Sequence, residues 1–224
     1  ASGYCRGIKK TNERQVSCMN NKQLILFDLD GVLIDSRENM KVAWGVVCQN
    51  HNIKISFEQY FSHIGRPFVD ILNIMGIEEN EKEIEKTFKI SSLESLSKIA
   101  FYNNVESVLH ELISNNIKIG VVTSKDSIRT KNILSRLSVP FSVVRTPDSV
   151  YRGKPAPDHL LQAVSISNLD PDQAIYIGDM MVDYEASIRA RIDYAHANWG
   201  YENNLEKGVL VLNDILDLKD LLLN

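Results

Sequence analysis

The chain has 224 residues, 44% of them hydrophobic and 24% charged, with a net charge of −4. These totals fit one substantial core with a modest second unit and exclude the clustered Lys and Arg of a nucleic-acid surface. No apolar run reaches the roughly 18 residues of a membrane span and the start has no apolar signal-peptide core, so the expected location is the cytoplasm.

Residues 1–21 carry Arg6, Lys9, Lys10 and Arg14 against Glu13 without a hydrophobic period, the pattern of a flexible tail, with Met19 a candidate natural start. Cys5, Cys18 and Cys48 lack C-x-x-C or Cys/His spacing and are read as reduced bystanders. Leu24–Phe27 is an apolar run too short for a helix and reads as a buried parallel strand. It ends in D-L-D-G. Asp28 and Asp30, two positions apart, can lean toward the mouth of the sheet, where open α/β sheets place ligands. Two adjacent carboxylates repel each other, and a divalent cation relieves the repulsion; the alternative is a solvated acidic turn.

Ser36 can cap a helix through about Asn50, with Val42, Val46 and Val47 on one face. Pro67 suits a first helical turn, and Phe68, Ile71, Leu72 and Met75 follow at helical spacing before Gly76. Glu81 to Ile99 is acidic, then Ser-rich, with Ile84, Phe88, Leu93 and Leu96. Residues 37–100 therefore read as a helical cap inserted between two core segments, 22–36 and 101–224.

From Asn104 the rhythm alternates. Val105, Val108, Leu109, Leu112 and Ile113 give a helix stripe, Ile117–Val122 a strand, and Ile128–Leu137 a helix. Phe141–Val144 reads as a strand, His159–Ile166 as a helix, and Ala174–Ile177 as a strand. A helix from about Tyr184, strands at Tyr194–Asn198 and Val209–Leu212, and a Leu-rich helix complete the chain. Alternation of this kind predicts a parallel sheet with right-handed crossovers. The expected fold is α/β, a Rossmann-like doubly wound parallel sheet core with an inserted α-helical cap.

Three further polar groups fall where the same sheet edge would gather them. Thr123 follows I-K-I-G-V-V and can donate to a phosphate oxygen or satisfy its own turn. Lys154 stands in the Pro-stiffened segment G-K-P-A-P-D, reading as a site cation or an ordinary solvated lysine. Asp179 and Asp183, in G-D-M-M-V-D at a strand-to-helix junction, offer two more carboxylates or a turn and a helix cap.

The order of these groups (D-x-D after the first strand, Thr after a middle one, Lys before a helix, G-D-x-x-x-D after a late one) resembles the haloacid dehalogenase-like hydrolase superfamily. Within it, the chain looks most like the phosphoglycolate phosphatase branch with a helical cap. The resemblance covers about residues 22–224 and implies a Mg²⁺-dependent phosphomonoester hydrolase. It implies Mg²⁺ held by Asp28, Asp179 and the backbone carbonyl of Asp30, with Asp183 ordering the metal shell. Asp28 would attack phosphorus, giving an aspartyl-phosphate. Asp30 would protonate the leaving oxygen and then activate water, which needs a pKa raised toward working pH. Lys154 would balance charge and Thr123 donate a hydrogen bond.

An Asp at position 30 suits phosphate transfer, whereas members acting on carbon–halogen bonds lack that acid. Two residues depart from the family pattern: Met180, where a small or hydroxyl residue is frequent, and Ser124, where close relatives often have Asn. Ser124 and Arg66 are the expected substrate contacts, Arg66 lying with His63 in the turn F-S-H-I-G-R-P-F between two helices and reading either as an anion ligand or as a solvated turn arginine. The expected partner is a small phosphorylated metabolite, with neither nucleic acid nor membrane, in a monomer or homodimer. A phosphomutase of the β-phosphoglucomutase kind shares the pattern up to the cap. A phospho-receiver module gathers similar residues but is about half this length and lacks the inserted unit.

Overall fold

The strand expected at Leu24–Phe27 forms as β1 in the computed structural model, which describes residues 21–202 and 208–222, and all four of its residues are buried. All but the last residue of the expected tail, with Cys5, Cys18 and Met19, lies outside the described residues. In chain order β1 is followed by β2 (Ile34–Asp35), α1 (Arg37–His51), α2 (Phe57–Phe61), α3 (Phe68–Ile74), α4 (Glu81–Glu94) and β3 (Ala100–Phe101). Then come α5 (Val105–Ser114), β4 (Lys118–Val122), α6 (Ser127–Leu134), β5 (Val143–Arg145), α7 (Asp158–Ile166) and β6 (Ala174–Gly178). The described chain ends with α8 (Met181–Ala190), β7 (Asp193–Ala197), β8 (Leu210–Leu212) and α9 (Asp217–Leu222).

Six strands form one parallel sheet in the order β5-β4-β1-β6-β7-β8. β1 lies at its centre, with Ile25 opposite Ile119 on one side and Ile175 on the other. Strand direction alternates side chains between faces. Ile25 and Phe27 therefore pack with α5, α6 and α9, while Leu24 and Leu26 pack with α7 and α8. A sheet covered on both faces needs apolar residues at every strand position, which is why β1 reads as a continuous run rather than an alternation. The carboxyl ends of β1, β4 and β6 adjoin where the strand order reverses, the crevice in which α/β sheets bind ligands.

The four helices between β2 and β3 build a core of their own. Trp44 is 1% exposed, stacks on Tyr60 with ring centroids 4.5 Å apart, and donates from Nε1 to the Ile55 carbonyl at 2.9 Å. α1 buries Asn39, Met40, Ala43, Trp44 and Val47. Val42 and Val46 are only half-buried, because the face that carries the indole removes more apolar area from water. Leu93 is likewise exposed, since α4 turns Ser91 and Ser92 inward. Asn39 meets that polar stripe: its Nδ2 donates to the Ser92 carbonyl at 2.8 Å, and Ser92 Oγ donates to Asn39 Oδ1 at 2.6 Å.

The short helix α2 begins at a capping box, with Ser56 Oγ accepting from Gln59 N and the Gln59 side chain accepting from Ser56 N. β2 and β3 pair antiparallel, Ile34 opposite Phe101, so the inserted helices leave and re-enter the sheet through one ribbon. Among the described residues, no helix is long and apolar enough to cross a membrane.

Trp44→Ala should lower the unfolding free energy by about 3–5 kcal/mol, the range for emptying a buried aromatic site. Urea unfolding followed by tyrosine fluorescence measures it, and a loss below about 1 kcal/mol would show that the indole is not the centre of the helical core.

Candidate active site

β1 ends at Phe27, and the backbone then turns so that Asp28 lies buried at the sheet's edge, 3% exposed. The turn depends on Gly31, which has φ +82°. A Cβ there would lie 2.0 Å from Asp179 Oδ2, so only glycine lets the loop after β1 meet the loop after β6. Asp179 follows β6, and Asp183 sits in the first turn of α8; both are completely buried. Carboxylate oxygens of Asp28, Asp179 and Asp183 lie within 4.8 Å of one another.

Lys154 is the counter-charge. Only 3% exposed, its Nζ is 2.7 Å from Asp183 Oδ1 and 2.9 Å from Asp28 Oδ1, and it donates to the Tyr176 hydroxyl at 3.2 Å. It is thus no solvated loop lysine. Burial works against its charge, but Asp183 and Asp28 together hold its pKa above the usual lysine range. Both oxygens of Asp183 are engaged: Oδ1 also accepts from Tyr176 at 3.0 Å, and Oδ2 accepts the backbone N–H groups of Met180 at 3.1 Å and Asp179 at 3.3 Å. Helix capping and site formation are therefore one arrangement at Asp183, and the cap explains why α8 starts at Met181 rather than near Tyr184.

Asp28 and Asp179 keep open oxygens. Asp179 Oδ2 accepts from Tyr201 N at 2.7 Å, whereas Asp179 Oδ1 is buried without a hydrogen-bond partner. Asp28 Oδ1 is also buried and faces Lys154 as an ion pair without hydrogen-bond alignment. Burial pushes the Asp28 carboxyl up to about 7 against the pull of Lys154, and Asp183 and Asp30 add to the rise. Burial, then Asp183 and Asp28, raise Asp179 well above the carboxylate range. Buried oxygens of Asp28 and Asp179 that accept no hydrogen bond, beside Asp183 and a single lysine that pairs only with Asp28 and Asp183, fit a hard divalent cation.

Asp30 is turned elsewhere. Its Oδ1 accepts from Ser36 Oγ and lies 3.0 Å from Lys125 Nζ, so Ser36 occupies the N-cap position of α1 without capping it through its side chain. Thr123, 3% exposed, accepts from Lys125 N at 3.1 Å, which satisfies its turn and leaves its hydroxyl hydrogen unengaged by any described residue. Ser124 instead donates to the Gly65 carbonyl at 2.7 Å, tying the loop after β4 to the turn between α2 and α3.

A cavity of about 60 Å³ gathers Asp28, Asp30, Thr123, Ser124, Lys154 and Arg66, and the helical unit adds Met40, Tyr60, Ile64, Phe68 and Ile71. Arg66 has no hydrogen-bond or ion-pair partner among the described residues, and His63 does not line the cavity. Sequence reasoning passed over Lys125, Arg129, Tyr176 and Tyr201. Lys125 follows the Thr123 motif by two residues, a signal that was available. Tyr176 and Tyr201 carry none, because only folding brings their hydroxyls to the site.

Residues 25–197 match the family described as haloacid dehalogenase-like hydrolase. The chain is 27% identical over 201 residues to pyrophosphatase PpaX of Oceanobacillus iheyensis, covering 88% of this chain and 94% of that one. It is 30% identical over 197 residues to a phosphoglycolate phosphatase of Psychrobacter arcticus, covering 81% and 85%. The crystal structure of a hydrolase from Pseudomonas syringae superposes with a TM-score of 0.80 at 24% identity, covering 89% of this chain and 96% of that one, a likeness of fold.

In chelator, the raised Asp28 carboxyl makes stability fall with pH. Between its ordinary value of 3.8 and about 7, the folded chain keeps a proton that the unfolded chain has released, so this contribution is present below about pH 4 and lost above about pH 7. Asp28→Asn should therefore raise the unfolding free energy of the metal-free protein at pH 8 by up to a few kcal/mol. The gain should vanish at pH 4. Urea unfolding at the two pH values tests it, and an equal effect at both would refute the burial argument.

Proposed function

The chain belongs to the haloacid dehalogenase-like hydrolases, in their phosphoglycolate phosphatase-like branch, and is a phosphatase; from that premise we propose that it hydrolyses a small phosphomonoester with an anionic leaving group, through an aspartyl-phosphate. The observation that carries this reading is the pair of buried, open oxygens on Asp28 and Asp179 beside Lys154 at the sheet's edge.

The carboxylates of Asp28 and Asp179, with the backbone carbonyl of Asp30, would hold Mg²⁺, and Asp183 keeps Asp179 and Lys154 in place. When bound, the ion supplies the positive charge that lets two anions approach. An oxygen of Asp28 attacks phosphorus as the bond from phosphorus to the leaving oxygen breaks. Asp30 gives that oxygen its proton. Water then attacks phosphorus, Asp30 takes a proton from it, and phosphate leaves as Asp28 is restored. Lys154 balances the charge on Asp28 throughout, and Thr123 donates its free hydroxyl hydrogen to the phosphoryl group. Residues of the helical unit close the cavity as a cap, keeping bulk water from the phosphoryl group.

Two features favour a small anionic leaving group. The cavity is small, and the Arg66 guanidinium on its wall has no protein partner. Relatives named phosphoglycolate phosphatase and pyrophosphatase release, in turn, a carboxylate-bearing alcohol and a phosphate. Ser124, spent on Gly65, contributes its position more than its hydroxyl.

The deciding experiment is a phosphate-release screen over phosphoglycolate, pyrophosphate and sugar phosphates with Mg²⁺, with a bisphosphate activator added in one arm. Turnover should need no activator, stop in EDTA, return with Mg²⁺, and be abolished in Asp28→Asn. Full activity in chelator, or an Asp28→Asn variant within about tenfold of the parent, would defeat the mechanism, and dependence on the bisphosphate would make the protein a mutase.

Arg66→Ala should cut kcat/KM for the preferred anionic substrate by roughly tenfold to a hundredfold, about 1.4–2.7 kcal/mol, and barely change hydrolysis of 4-nitrophenyl phosphate. Equal losses on both substrates would assign Arg66 to closure or folding.

A further inference from the structure

The loop after β7, A-N-W-G-Y-E, is anchored from three sides. Trp199 Nε1 donates to the Val32 carbonyl at 3.0 Å, His196 Nε2 donates to the Glu202 carbonyl at 2.8 Å, and the Glu202 carboxylate accepts from Met181 N at 2.6 Å. On this fixed loop Tyr201 makes two sets of contacts. Its backbone N–H holds Asp179. Its hydroxyl accepts from Ser36 N at 2.8 Å, donates to Asp35 Oδ1 at 3.2 Å, and lies 3.4 Å from Ser36 Oγ. The ring meets Phe61 of the helical unit edge-on, centroids 5.0 Å apart.

Asp35 and Ser36 lie where the inserted helices leave the sheet, in β2 and just before α1. Ser36 is completely buried, and its Oγ donates to Asp30. Asp30 Oδ1 thus has two neighbours, Ser36 and Lys125, whereas Oδ2 has no protein partner among the described residues. The terminal torsion of an aspartate is soft and roughly two-fold, so outside contacts must choose which oxygen points where.

We propose that Tyr201 is a positioning residue for the reaction: its hydroxyl fixes Ser36, and Ser36 fixes the Asp30 carboxyl so that Oδ2 carries the proton delivered to the leaving oxygen. The proposal rests on the acid–base reading of Asp30 above. With Oδ1 occupied by donors, a proton on the carboxyl sits on Oδ2, and an acid works only within hydrogen-bond reach of the atom it protonates. Tyr201 never touches substrate. It holds Asp179 through its backbone and Asp30 through its hydroxyl, so one residue sets the spacing of two carboxyls with different tasks.

The test uses leaving groups of different basicity, because 4-nitrophenolate departs with little help from an acid whereas phenolate needs it. Wild type, Tyr201→Phe, Ser36→Ala and Asp30→Asn are assayed on 4-nitrophenyl phosphate and phenyl phosphate. Tyr201→Phe keeps the ring against Phe61 and the amide on Asp179; Ser36→Ala removes one hydroxyl. In both, kcat should fall at least about tenfold more on phenyl than on 4-nitrophenyl phosphate, with KM within about twofold, and Asp30→Asn should show the same bias more strongly. Equal losses on the two substrates in Tyr201→Phe and Ser36→Ala, beside a bias in Asp30→Asn, would overturn the positioning role and leave the acid in place. No bias in Asp30→Asn would overturn the acid reading itself, and the proposal with it.

Discussion

Three buried carboxylates crowd around one buried lysine, and the site depends on that imbalance being tolerated. At about 4.8 Å, two like unit charges repel by about 3.5 kcal/mol at an effective dielectric of 20. Lys154 offsets part of this by facing Asp28 and Asp183 together, and the Met180 and Asp179 amides offset more by pointing at Asp183. Burial first, and what is left of the repulsion second, push the carboxyls of Asp28 and Asp179 toward the protonated form. The uncompensated charge thus sits on the groups that would bind a cation and attack phosphorus, while the compensated group is structural.

The fold supplies the geometry for this concentration of charge. Parallel strands bring the loops after β1, β4 and β6 to one edge, and each adds polar groups with little disturbance to the apolar sheet below. The inserted helices close over that edge through specific contacts. Gly65, at φ +86°, has space only for hydrogen, since a Cβ would come 2.8 Å from Val182, and its carbonyl takes the Ser124 hydroxyl. Arg129 reaches from α6 to donate to Ser92 Oγ at 2.9 Å, joining the sheet's helices to the polar stripe of α4 and α1. The ribbon of β2 and β3 is the remaining tether, and Tyr201 binds beside it. The contacts that hold the inserted helices over the edge and those that arrange its carboxylates therefore share residues.

Most of the architecture was legible because strong apolar periodicity leaves few alternatives. A four-residue apolar run ending in D-L-D-G, followed by helices and then by alternating strands and helices, admits a covered parallel sheet with an insertion and little else. Errors came where signals compete. Val42 and Val46 looked like the buried face of α1, but Trp44 carries more apolar area and turned the helix toward itself. Leu93 looked like core in α4, but the pairing of Asn39 with Ser92 favours a polar stripe there. Asp183 as a cap before the helix puts the start of α8 near Tyr184, whereas Asp183 lies inside the first turn and its carboxylate reaches back to the Met180 amide, so the helix begins at Met181.

By itself the sequence determined which polar side chains stand where the sheet's edge gathers them, though not Lys125 or Arg129. Asp28, Asp30, Thr123, Lys154, Asp179 and Asp183 stand at ends of predicted elements, and a strand's end fixes where the next residue goes. Only the tertiary structure decided how that charge is distributed. It set Asp183 against two amides and a lysine, left Asp28 and Asp179 with open oxygens, gave Asp30 to Ser36 and Lys125, and spent Ser124 on a carbonyl of the inserted turn. Hydrogen bonds and ion pairs act over about 3 Å between atoms that can stand 167 positions apart in the chain, as those of Trp199 and Val32 do. Local patterning can specify an element and its end, but such distances exist only once the sheet has assembled.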